Sequence, residues 1–404
     1  MTTSLPLPDL FDPAVLEDPY PLYARLREHA PVHRVPGTDF HLVSSWAAVS
    51  EAADRTAEFS SHLTAVLVDR PGDTPAVFDL DSTGTAVHVL ATADARTHAA
   101  HRGIVGPALA ARVRAVTPRV RALAETLWDT ARTGDRLDWA TGMADRLPLA
   151  VLAELIGLPA RDVPRLLTWA YDSTEMLGGV VAEGRMPALV ASAAALAHYA
   201  WQAVTGPDIP AGSLLAVLAA ARAEGRIDEQ QAVLILVQLV GAGGESTAGL
   251  IASAARLLAT HPEIQDRVRA RPELLPLVLE EAMRLESPFR GHHRHVTADT
   301  SLAGTDLPAG SHLLLLWGAA NRDPAVFPDP DTFDPTRPRT RAGLAFGRGA
   351  HFCLGSALAR AEATAALTLL LERTTTFALD PDTPPRWVPS LFVRRHASLP
   401  LRLR

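Results

Sequence analysis

A ten-residue loop around the only cysteine most constrains what this chain of 404 residues can become. Cys353 lies in the segment 346–355, which reads F-G-R-G-A-H-F-C-L-G. A single cysteine cannot form an internal disulfide, so its use is packing, reactivity or metal ligation. Gly347 and Gly349 allow turn conformations that other residues disfavour, and Gly355 allows close approach to another group. Such a loop can direct backbone N–H groups at a sulfur, which tunes a metal-bound thiolate. An inert, buried cysteine is the alternative.

The pattern F-G-x-G-x-H-x-C-x-G resembles the haem-binding loop of the cytochrome P-450 family, the haem-thiolate monooxygenases. Six of its ten positions are fixed, and one of these is the lone cysteine. The resemblance implies that Cys353 is the metal ligand, that Phe346 is a cofactor-binding residue, and that the cofactor is heme b (iron protoporphyrin IX). It also implies the fold: mainly α, the cytochrome P-450 fold, a single large α-rich domain with small β-sheets over residues 1–404.

The composition is that of a globular protein with a large core, since 48% of the residues are hydrophobic and 21% are charged. A formal net charge of −7 argues against general nucleic-acid binding, which needs clustered basic charge. The segment 1–19 lacks the basic start and apolar run of a signal peptide. The longest apolar candidate, 232–243, is shorter than the ~18 residues of a membrane helix. We expect a cytoplasmic protein that binds neither nucleic acid nor membrane, and we take it to be a monomer.

Apolar residues at three- and four-residue spacing predict helices over most of the chain. The clearest helices are 21–28, 113–131, 143–158, 189–204, 229–259 and 362–371, with ends at Gly157, at Gly206 and before Pro262. Strand signals are few, and they predict a hairpin from 32–35 and Phe40–Val43, a buried strand at 312–317 and a short ribbon at 390–403. The proline-rich stretch 327–339 is interpreted as an ordered coil that braces the cysteine loop.

The predicted helix 229–259 contains three glycines in the run 240–247, V-G-A-G-G-E-S-T. Each glycine costs roughly 1 kcal/mol relative to alanine, so we expect a packing or functional reason. Locally loosened helical bonding would open a groove beside the helix. Glu245 and Ser246 follow, and an acid beside an alcohol can relay protons as a general acid. A glycine-rich kink with a solvated glutamate is the alternative.

The same run resembles the family's A-G-x-(E/D)-T signature, with Ala242, Gly243, Glu245 and Ser246 aligned. Ser246 stands where most relatives have threonine, so the hydroxyl is kept while the methyl that fixes its rotamer is lost. The adjacent Thr247 is a second source of the alcohol. The resemblance therefore implies Glu245, Ser246 and Thr247 as candidate catalytic residues.

Helical spacing places Gln238, Gly241, Ala242, Glu245 and Ser246 on one helix face. If this face lies toward the cofactor, its small residues leave room for a bulky substrate, and the Gln238 amide hydrogen-bonds that substrate. In the alternative, a neighbouring backbone group satisfies Gln238.

The resemblance implies further substrate contacts, inferred from the fold alone. They lie in the loop 62–89 and in the C-terminal turn 387–392, and the candidates outside the helix are Ser287, Phe289 and Leu391. Aromatic side chains in these segments favour a hydrophobic or aromatic small molecule. Ordinary core aromatics are the alternative.

Glu281 and Arg284 form an acid–base pair at i, i+3 on a predicted helix, a spacing that usually means a modest surface contact. The run 281–288 resembles instead the family's E-x-x-R core motif. That motif implies a buried network with an arginine of the later coil, which we expect to be Arg337. The planar guanidinium suits such a bidentate site. These residues are interpreted as structural.

Haem propionates need cationic or donor partners where they are partly buried, and the resemblance implies partners from three places. His98 and Arg102 lie at i, i+4 on one helix face. Arg294 follows the E-x-x-R helix, and His351 precedes Cys353 by two residues. The histidines at 98 and 101 and at 292–295 also suggest a non-haem metal site, but no carboxylate set stands at suitable spacing.

An axial thiolate gives haem iron the electron density that favours O–O cleavage. By resemblance, electrons come from NAD(P)H through ferredoxin and ferredoxin reductase, which would meet Arg112, Arg348 and Arg360. We expect a monooxygenase that oxidises a hydrophobic or aromatic small molecule in bacterial natural-product biosynthesis. One alternative is oxidative C–C or C–N coupling of aromatic or cyclic-dipeptide units without oxygen insertion, which the weakened alcohol at Ser246 favours slightly. A distant alternative is a non-catalytic haem-binding sensor.

Overall fold

Helices make up most of the chain in the computed structural model, which describes residues 9–70, 75–338 and 343–404. The helices in chain order are α1 (Pro13–Glu17), α2 (Tyr20–His29), α3 (Trp46–Asp54), α4 (Ala95–Ala131), α5 (Arg146–Ile156), α6 (Val163–Leu177), α7 (Met186–Thr205), α8 (Leu214–Ala223), α9 (Glu229–Thr260), α10 (Pro262–Ala270), α11 (Leu275–Leu285), α12 (Trp317–Ala320) and α13 (Ser356–Glu372). A 3₁₀ turn, Leu90–Thr92, precedes α4, and a π turn, Ala140–Ala144, precedes α5.

The strands form small sheets beside the helices. They are β1 (Val32–Arg34), β2 (Phe40–Val43), β3 (Phe59–Ser60), β4 (Ala65–Val68), β5 (Ala76–Asp79), β6 (Arg136–Asp138), β7 (His292–Val296), β8 (Thr300–Leu302), β9 (Thr305–Leu307), β10 (His312–Leu315), β11 (Phe377–Leu379), β12 (Arg386–Trp387), β13 (His396–Ser398) and β14 (Pro400–Leu403). The largest sheet has the order β1-β2-β10-β7-β3. The fold is therefore the mainly α arrangement with small β-sheets that the sequence predicts.

The predicted hairpin is confirmed, because β1 pairs with β2 in antiparallel register. The helix ends predicted at Gly157 and Gly206 are also confirmed, and Gly157 caps α5 in the left-handed conformation with φ 96°. The predicted strand 312–317 is too long. It ends at Leu315, and Trp317 already begins α12.

The prediction for α4 misses its first half. The helix begins at Ala95 rather than near residue 113 and continues through Pro107 and Pro118. Its first turns contain histidines and glycines, so the apolar spacing that marks a helix is absent there even though His98 and His101 are buried. This half matters because it carries two of the predicted cofactor partners.

The helix α9 crosses the main core and is continuous, so the expected loosening of its hydrogen bonds is wrong. Packing accounts for at least one of its glycines. A Cβ at Gly243 would lie 2.8 Å from the Leu152 side chain, closer than real Cβ contacts come, whereas a Cβ at Gly241 would meet no atom within 4 Å. One glycine therefore lets α5 pack closely, and the other opens space on the opposite side.

Within the described ranges, α9 is also the helix long and apolar enough to cross a membrane by length and composition. In its most apolar window, 56% of the residues are buried inside the protein. The sequence analysis underestimated this helix, and its position in the core accounts for its apolar character.

The predicted E-x-x-R network is confirmed. Glu281 is fully buried and accepts hydrogen bonds from Arg284 at 2.7 and 2.8 Å, from Arg337 Nε at 3.1 Å and from the Asp334 backbone N–H at 3.1 Å. Arg284 also donates to three backbone carbonyls of the coil after α12. The network therefore fixes the coil that leads into the cysteine loop.

Candidate active site

The cysteine loop is a tight turn held by its own backbone. The Cys353 N–H donates to the Phe346 carbonyl at 2.9 Å. Gly347 and Gly349 take positive φ values of 70° and 65°, which other residues rarely adopt. A Cβ at Gly349 would also lie 3.0 Å from Asp54 Oδ1. The glycines therefore make this turn possible, as the sequence predicts.

Backbone N–H groups reach the cysteine sulfur. Burial raises the pKa of the Cys353 thiol, while hydrogen bonds from the backbone of Gly355 and Ser356 and the charges of Arg102 and Arg360 lower it. Such N–H groups stabilise a thiolate and tune it as a ligand. Contacts of this kind are what a metal-bound thiolate receives, which favours ligation over the alternative of an inert core cysteine.

Arg294 on β7 is a buried cation. It is only 6% exposed, one guanidinium N–H donates to the His293 carbonyl at 2.8 Å, and its Nε has no hydrogen-bond acceptor. Among the residues that the structure describes, no carboxylate lies within ion-pair distance of it. Burial lowers the pKa of Arg294 to about 10. An unpartnered buried guanidinium fits an anion that is not part of the chain.

Three other predicted partners gather around Arg294. The rings of His98 and His351 lie 4.1 Å apart between centroids, and His351 Nε2 is 3.0 Å from Ser61 Oγ. Burial lowers the pKa of His351 to about 4, and the charges of Arg294, His98 and Arg102 lower it as well. The two imidazoles are therefore neutral hydrogen-bonding groups beside two guanidinium groups.

These residues fit a haem. Arg294, Arg102, His98 and His351 would hold its propionates, and Cys353 would be its axial ligand. The donor set combines one stabilised sulfur with cations and neutral donors, which is what an iron porphyrin dianion requires. No group of three or more His, Cys, Asp or Glu residues in the described segments is arranged to hold a metal ion, so the non-haem alternative gains no support.

A patch of small residues opens on α9, in the middle of the molecule. Ala242 is exposed although it lies within the core helix, and Gly241 faces open space. The Ser246 hydroxyl donates to the Ala242 carbonyl at 2.9 Å, so it lies at the edge of this patch. Thr247 is 5% exposed and is directed about 100° around the helix from Ser246. Of the two candidate alcohols, Ser246 is the one at the open side.

Glu245 is held inside the protein, so the alternative of a solvated glutamate is wrong. It is 2% exposed, accepts a hydrogen bond from the Thr174 hydroxyl, and pairs with Arg395 Nε at 2.8 Å. Burial raises the pKa of Glu245, while the charge of Arg395 lowers it. Glu245 therefore lies next to Ser246 in the chain but is bonded to α6 and to the C-terminal segment.

Comparison with known proteins agrees with this geometry. The family model described as cytochrome P450 matches residues 211–396. Cytochrome P450 144 of Mycobacterium tuberculosis is 44% identical over 99% of this chain and 92% of its own length. The chain belongs to the cytochrome P450 family. This P450 is a monooxygenase of the kind that binds heme b through a cysteine thiolate, and its only cysteine is Cys353. The sensor alternative is therefore set aside.

Two further relatives of this P450 have known activities. Mycinamicin IV hydroxylase/epoxidase of Micromonospora griseorubida is 34% identical over 77% of this chain and 79% of its own length. Among solved structures, the cytochrome P450 enzyme CxnD for C–S bond formation in chuangxinmycin biosynthesis is 29% identical, with a TM-score of 0.86. The match covers 100% of this chain and 98% of that chain.

The Gln238 amide of the P450 is already hydrogen-bonded within the protein. Its Oε1 accepts from the Ala91 backbone N–H at 3.0 Å, and its Nε2 donates to Thr92 Oγ1 at 3.1 Å. This corresponds to the alternative in which neighbouring groups satisfy the side chain. Gln238 therefore ties α9 to the turn Leu90–Thr92.

Two other predicted substrate contacts lie away from the open patch. Ser287 is 2% exposed, donates to the Met283 carbonyl at 3.1 Å and accepts from Asn321 at 2.8 Å, so its hydroxyl is occupied. Leu391 packs with the N-terminal cluster around Leu10 and Phe11. Both residues were chosen from segment position, which cannot tell which neighbour in a turn faces the pocket.

Phe289, unlike Ser287 and Leu391, lies beside other predicted site residues. Its ring lies 4.8 Å from that of Phe392 and 5.1 Å from that of His292, which begins the strand that carries Arg294. The indole N–H of Trp317 donates to His292 Nδ1 at 2.6 Å and fixes that ring. Phe289 thus belongs to an aromatic group beside the propionate partners.

The three arginines expected to meet a redox partner are engaged within the P450. Arg348 pairs with Asp54 at 2.7 Å and Arg360 with Glu280 at 2.5 Å. Arg112 donates to the carbonyls of Ala108, Gly212 and Ser213. Except for Ala108, which lies one turn before Arg112 on α4, these partners come from other helices or loops, so the local sequence does not indicate them. The sequence analysis also missed the Glu245 partners Thr174 and Arg395, for which the sequence carries no local signal.

Proposed function

We propose that this P450 oxidises a hydrophobic or aromatic small molecule in bacterial natural-product biosynthesis, using O₂. The open patch at Gly241 and Ala242, beside the Ser246 hydroxyl, carries this proposal, because it provides apolar space next to a potential proton donor. The aromatic group around Phe289 and Phe392 adds an apolar wall. A relative described as a hydroxylase/epoxidase of mycinamicin IV supports this class of substrate.

The residues of the chain have separable roles in this proposal. Haem with an axial thiolate supplies the oxidising chemistry when bound. Cys353 provides the thiolate, with the Gly355 and Ser356 N–H groups stabilising its charge. Arg294, Arg102, His98 and His351 would neutralise and hydrogen-bond the propionates of the bound cofactor. Phe346 packs against the main core at the start of the cysteine loop.

On α9, the Ser246 hydroxyl donates a hydrogen bond to the Ala242 carbonyl. Releasing that bond frees the hydroxyl to donate elsewhere, and Glu245 is the neighbouring acid that can restore the proton. Gln238 fixes the turn Leu90–Thr92 against α9 and so keeps the pocket wall in place. Thr247 is the second candidate alcohol, but its side chain is buried, which argues against this role.

We propose that electrons come from a ferredoxin and its reductase and that the enzyme acts as a cytoplasmic monomer with one domain over residues 1–404. Phe352 precedes the cysteine and is 42% exposed, which supports a docking surface at the cysteine loop. The Arg348–Asp54 pair there is about half exposed on both sides and so is weak enough to exchange partners.

Oxidative coupling without oxygen insertion is the second candidate. Ser246 supports it because a serine rotamer is less fixed than that of threonine, and coupling tolerates a weaker proton supply. The solved relative CxnD, an enzyme for C–S bond formation, supports this candidate because the two chains share the fold.

Isotopically labelled O₂ separates the two candidates. A compound library is first screened for ligands that shift the Soret band of the purified holoenzyme, and each hit is turned over with a surrogate ferredoxin and reductase. Label in the product supports monooxygenation. A dimer or ring-closed product without label supports coupling, and no turnover of any shifting ligand would contradict both. Ser246→Thr is the matched variant: it should raise the product formed per NADPH if the serine limits proton supply.

A further inference from the structure

Two buried carboxylates share one guanidinium next to the oxygen-side helix. Arg395 Nε lies 2.8 Å from Glu245 Oε1 on α9, and Arg395 Nη1 lies 3.6 Å from Asp145 Oδ1 at the start of α5. The Arg395 and Asp145 side chains are each 11% exposed and that of Glu245 is 2% exposed. The guanidinium therefore has an ion-pair partner on either side, and it bonds the closer one.

Each carboxylate also has its own neutral donor, and both donors lie on α6. The Tyr171 hydroxyl donates to Asp145 Oδ1 at 2.8 Å, and the Thr174 hydroxyl donates to Glu245 Oε2. The Arg395 guanidinium carbon lies 4.1 Å from the Tyr171 ring centroid. These hydroxyls keep both carboxylates in place, so the guanidinium is the part of the cluster that can change partner.

Burial favours a bound proton in this cluster. With both carboxylates ionised, the three groups carry a net charge of −1 in a buried site, which is unfavourable. Glu175 and Asp138, the nearest other acids, make a second negative charge still less favourable. His396 beside Arg395 adds no compensating charge, because burial holds its pKa well below the usual value.

We propose that Arg395 is a two-position switch that alternates between Glu245 and Asp145 and thereby controls which of them is protonated. In one arrangement, which is the one in the structure, the proton is on Asp145 and Arg395 bonds Glu245. In the other, Arg395 bonds Asp145 and the proton is on Glu245. Each arrangement contains one carboxylic acid, one carboxylate and one guanidinium, so the net charge is zero in both.

The exchange needs no other reactant than water, since one carboxyl releases a proton as the other accepts one. Only the second arrangement gives Glu245 in the acid form next to Ser246, the form able to restore a proton to that hydroxyl. The inference therefore rests on the proposed function of Glu245. Asp145 and Arg395 act through Glu245 and are positioning residues.

Infrared difference spectra of the ferric holoenzyme against pH test the shared proton directly. Besides Glu362, whose pKa burial also raises, the wild type should show a buried protonated carboxyl that titrates near the pKa of about 6 that burial gives Asp145. Both Asp145→Asn and Glu245→Gln should lose this band, because the one remaining carboxylate then keeps Arg395 to itself. Glu175→Gln is the control and should keep the band. Loss in only one of the two variants, or in neither, would overturn the shared proton.

Proton supply tests the switch itself. In Asp145→Asn, Arg395 bonds Glu245 alone and keeps it ionised. Product formed per NADPH should then fall about tenfold or more, because a positioned general acid contributes at least that much to a rate, and the solvent isotope effect should rise. Asp145→Glu should restore both. Haem content and the carbon monoxide spectrum are measured for every variant to establish that the site is folded. An unchanged amount of product per NADPH in Asp145→Asn would overturn the switch. If the infrared result is as expected but the wild type turns over no substrate, that outcome counts against the proposed function alone.

Discussion

Replacement of Arg294 by methionine should affect the haem-free protein and the holoenzyme in opposite directions. In the haem-free protein, burial lowers the pKa of Arg294 from its usual 12.5 to about 10. At about 1.4 kcal/mol for each unit, this difference corresponds to a cost of about 3 kcal/mol for keeping the charge buried. Because the folded-state pKa is below the unfolded one, the cost is complete below pH 10 and disappears above pH 12.5.

At neutral pH the methionine variant avoids this cost and loses one hydrogen bond to the His293 carbonyl, worth about 1 kcal/mol. The haem-free variant should therefore gain about 2 kcal/mol in free energy of unfolding. The holoenzyme loses a charge-assisted bond to a propionate, worth about 1.5–3 kcal/mol. Haem should thus leave the variant about 10- to 100-fold faster.

Urea unfolding of the haem-free protein and haem transfer to apomyoglobin measure the two effects. Arg290→Met is the matched control, because Arg290 is also a buried arginine, 2% exposed, but donates to the carbonyls of Val393 and Leu16. This control should destabilise the haem-free protein. If Arg294→Met destabilises the haem-free protein by as much as the control, or leaves haem loss unchanged, the assignment of Arg294 to a propionate is refuted.

Three further outcomes are expected. Arg284→Lys should lower the free energy of unfolding by about 3 kcal/mol, because it leaves a fully buried carboxylate incompletely paired; denaturant titration measures this. For Glu286, burial raises the pKa, but Arg394 and other arginines lower it to about 2. The folded-state pKa is thus depressed, so the ionised Glu286 stabilises the protein above pH 4.5. This stabilisation is lost as the pH falls toward 2. Glu286→Gln should flatten the unfolding free energy across that range. Gln238→Leu should speed amide hydrogen exchange in the turn Leu90–Thr92 while haem content stays unchanged, and unchanged exchange would contradict its role in holding the turn.

The features that the sequence predicted correctly depend on local chemistry. The turn around Cys353 needs glycines at fixed positions, and the Glu281–Arg284 pair needs only one helix turn. The link to Arg337 was also predicted, because the resemblance specifies an arginine in the coil before the cysteine loop. In each case the signal lies within a short run of residues.

The features that it could not predict depend on segments far apart in the chain. Glu245 was identified as an acid at the oxygen side, but its partners Thr174 and Arg395 come from α6 and the C-terminus, and nothing in the local sequence points to them. Gly243 was interpreted as loosening the helix because Leu152, which packs against it, belongs to another helix. Gln238 was predicted to hydrogen-bond a substrate, because its partners Ala91 and Thr92 belong to a turn far from it in the chain.

All of the proposed roles depend on Cys353 supplying the sulfur that binds the haem iron. The most direct test is the carbon monoxide difference spectrum of the reduced protein, compared with that of Cys353→Ser. The wild type should show the red-shifted Soret band characteristic of a thiolate-ligated haem, and the serine variant should lack it. A wild type that binds haem without this band, or a serine variant that keeps it, would contradict the assignment.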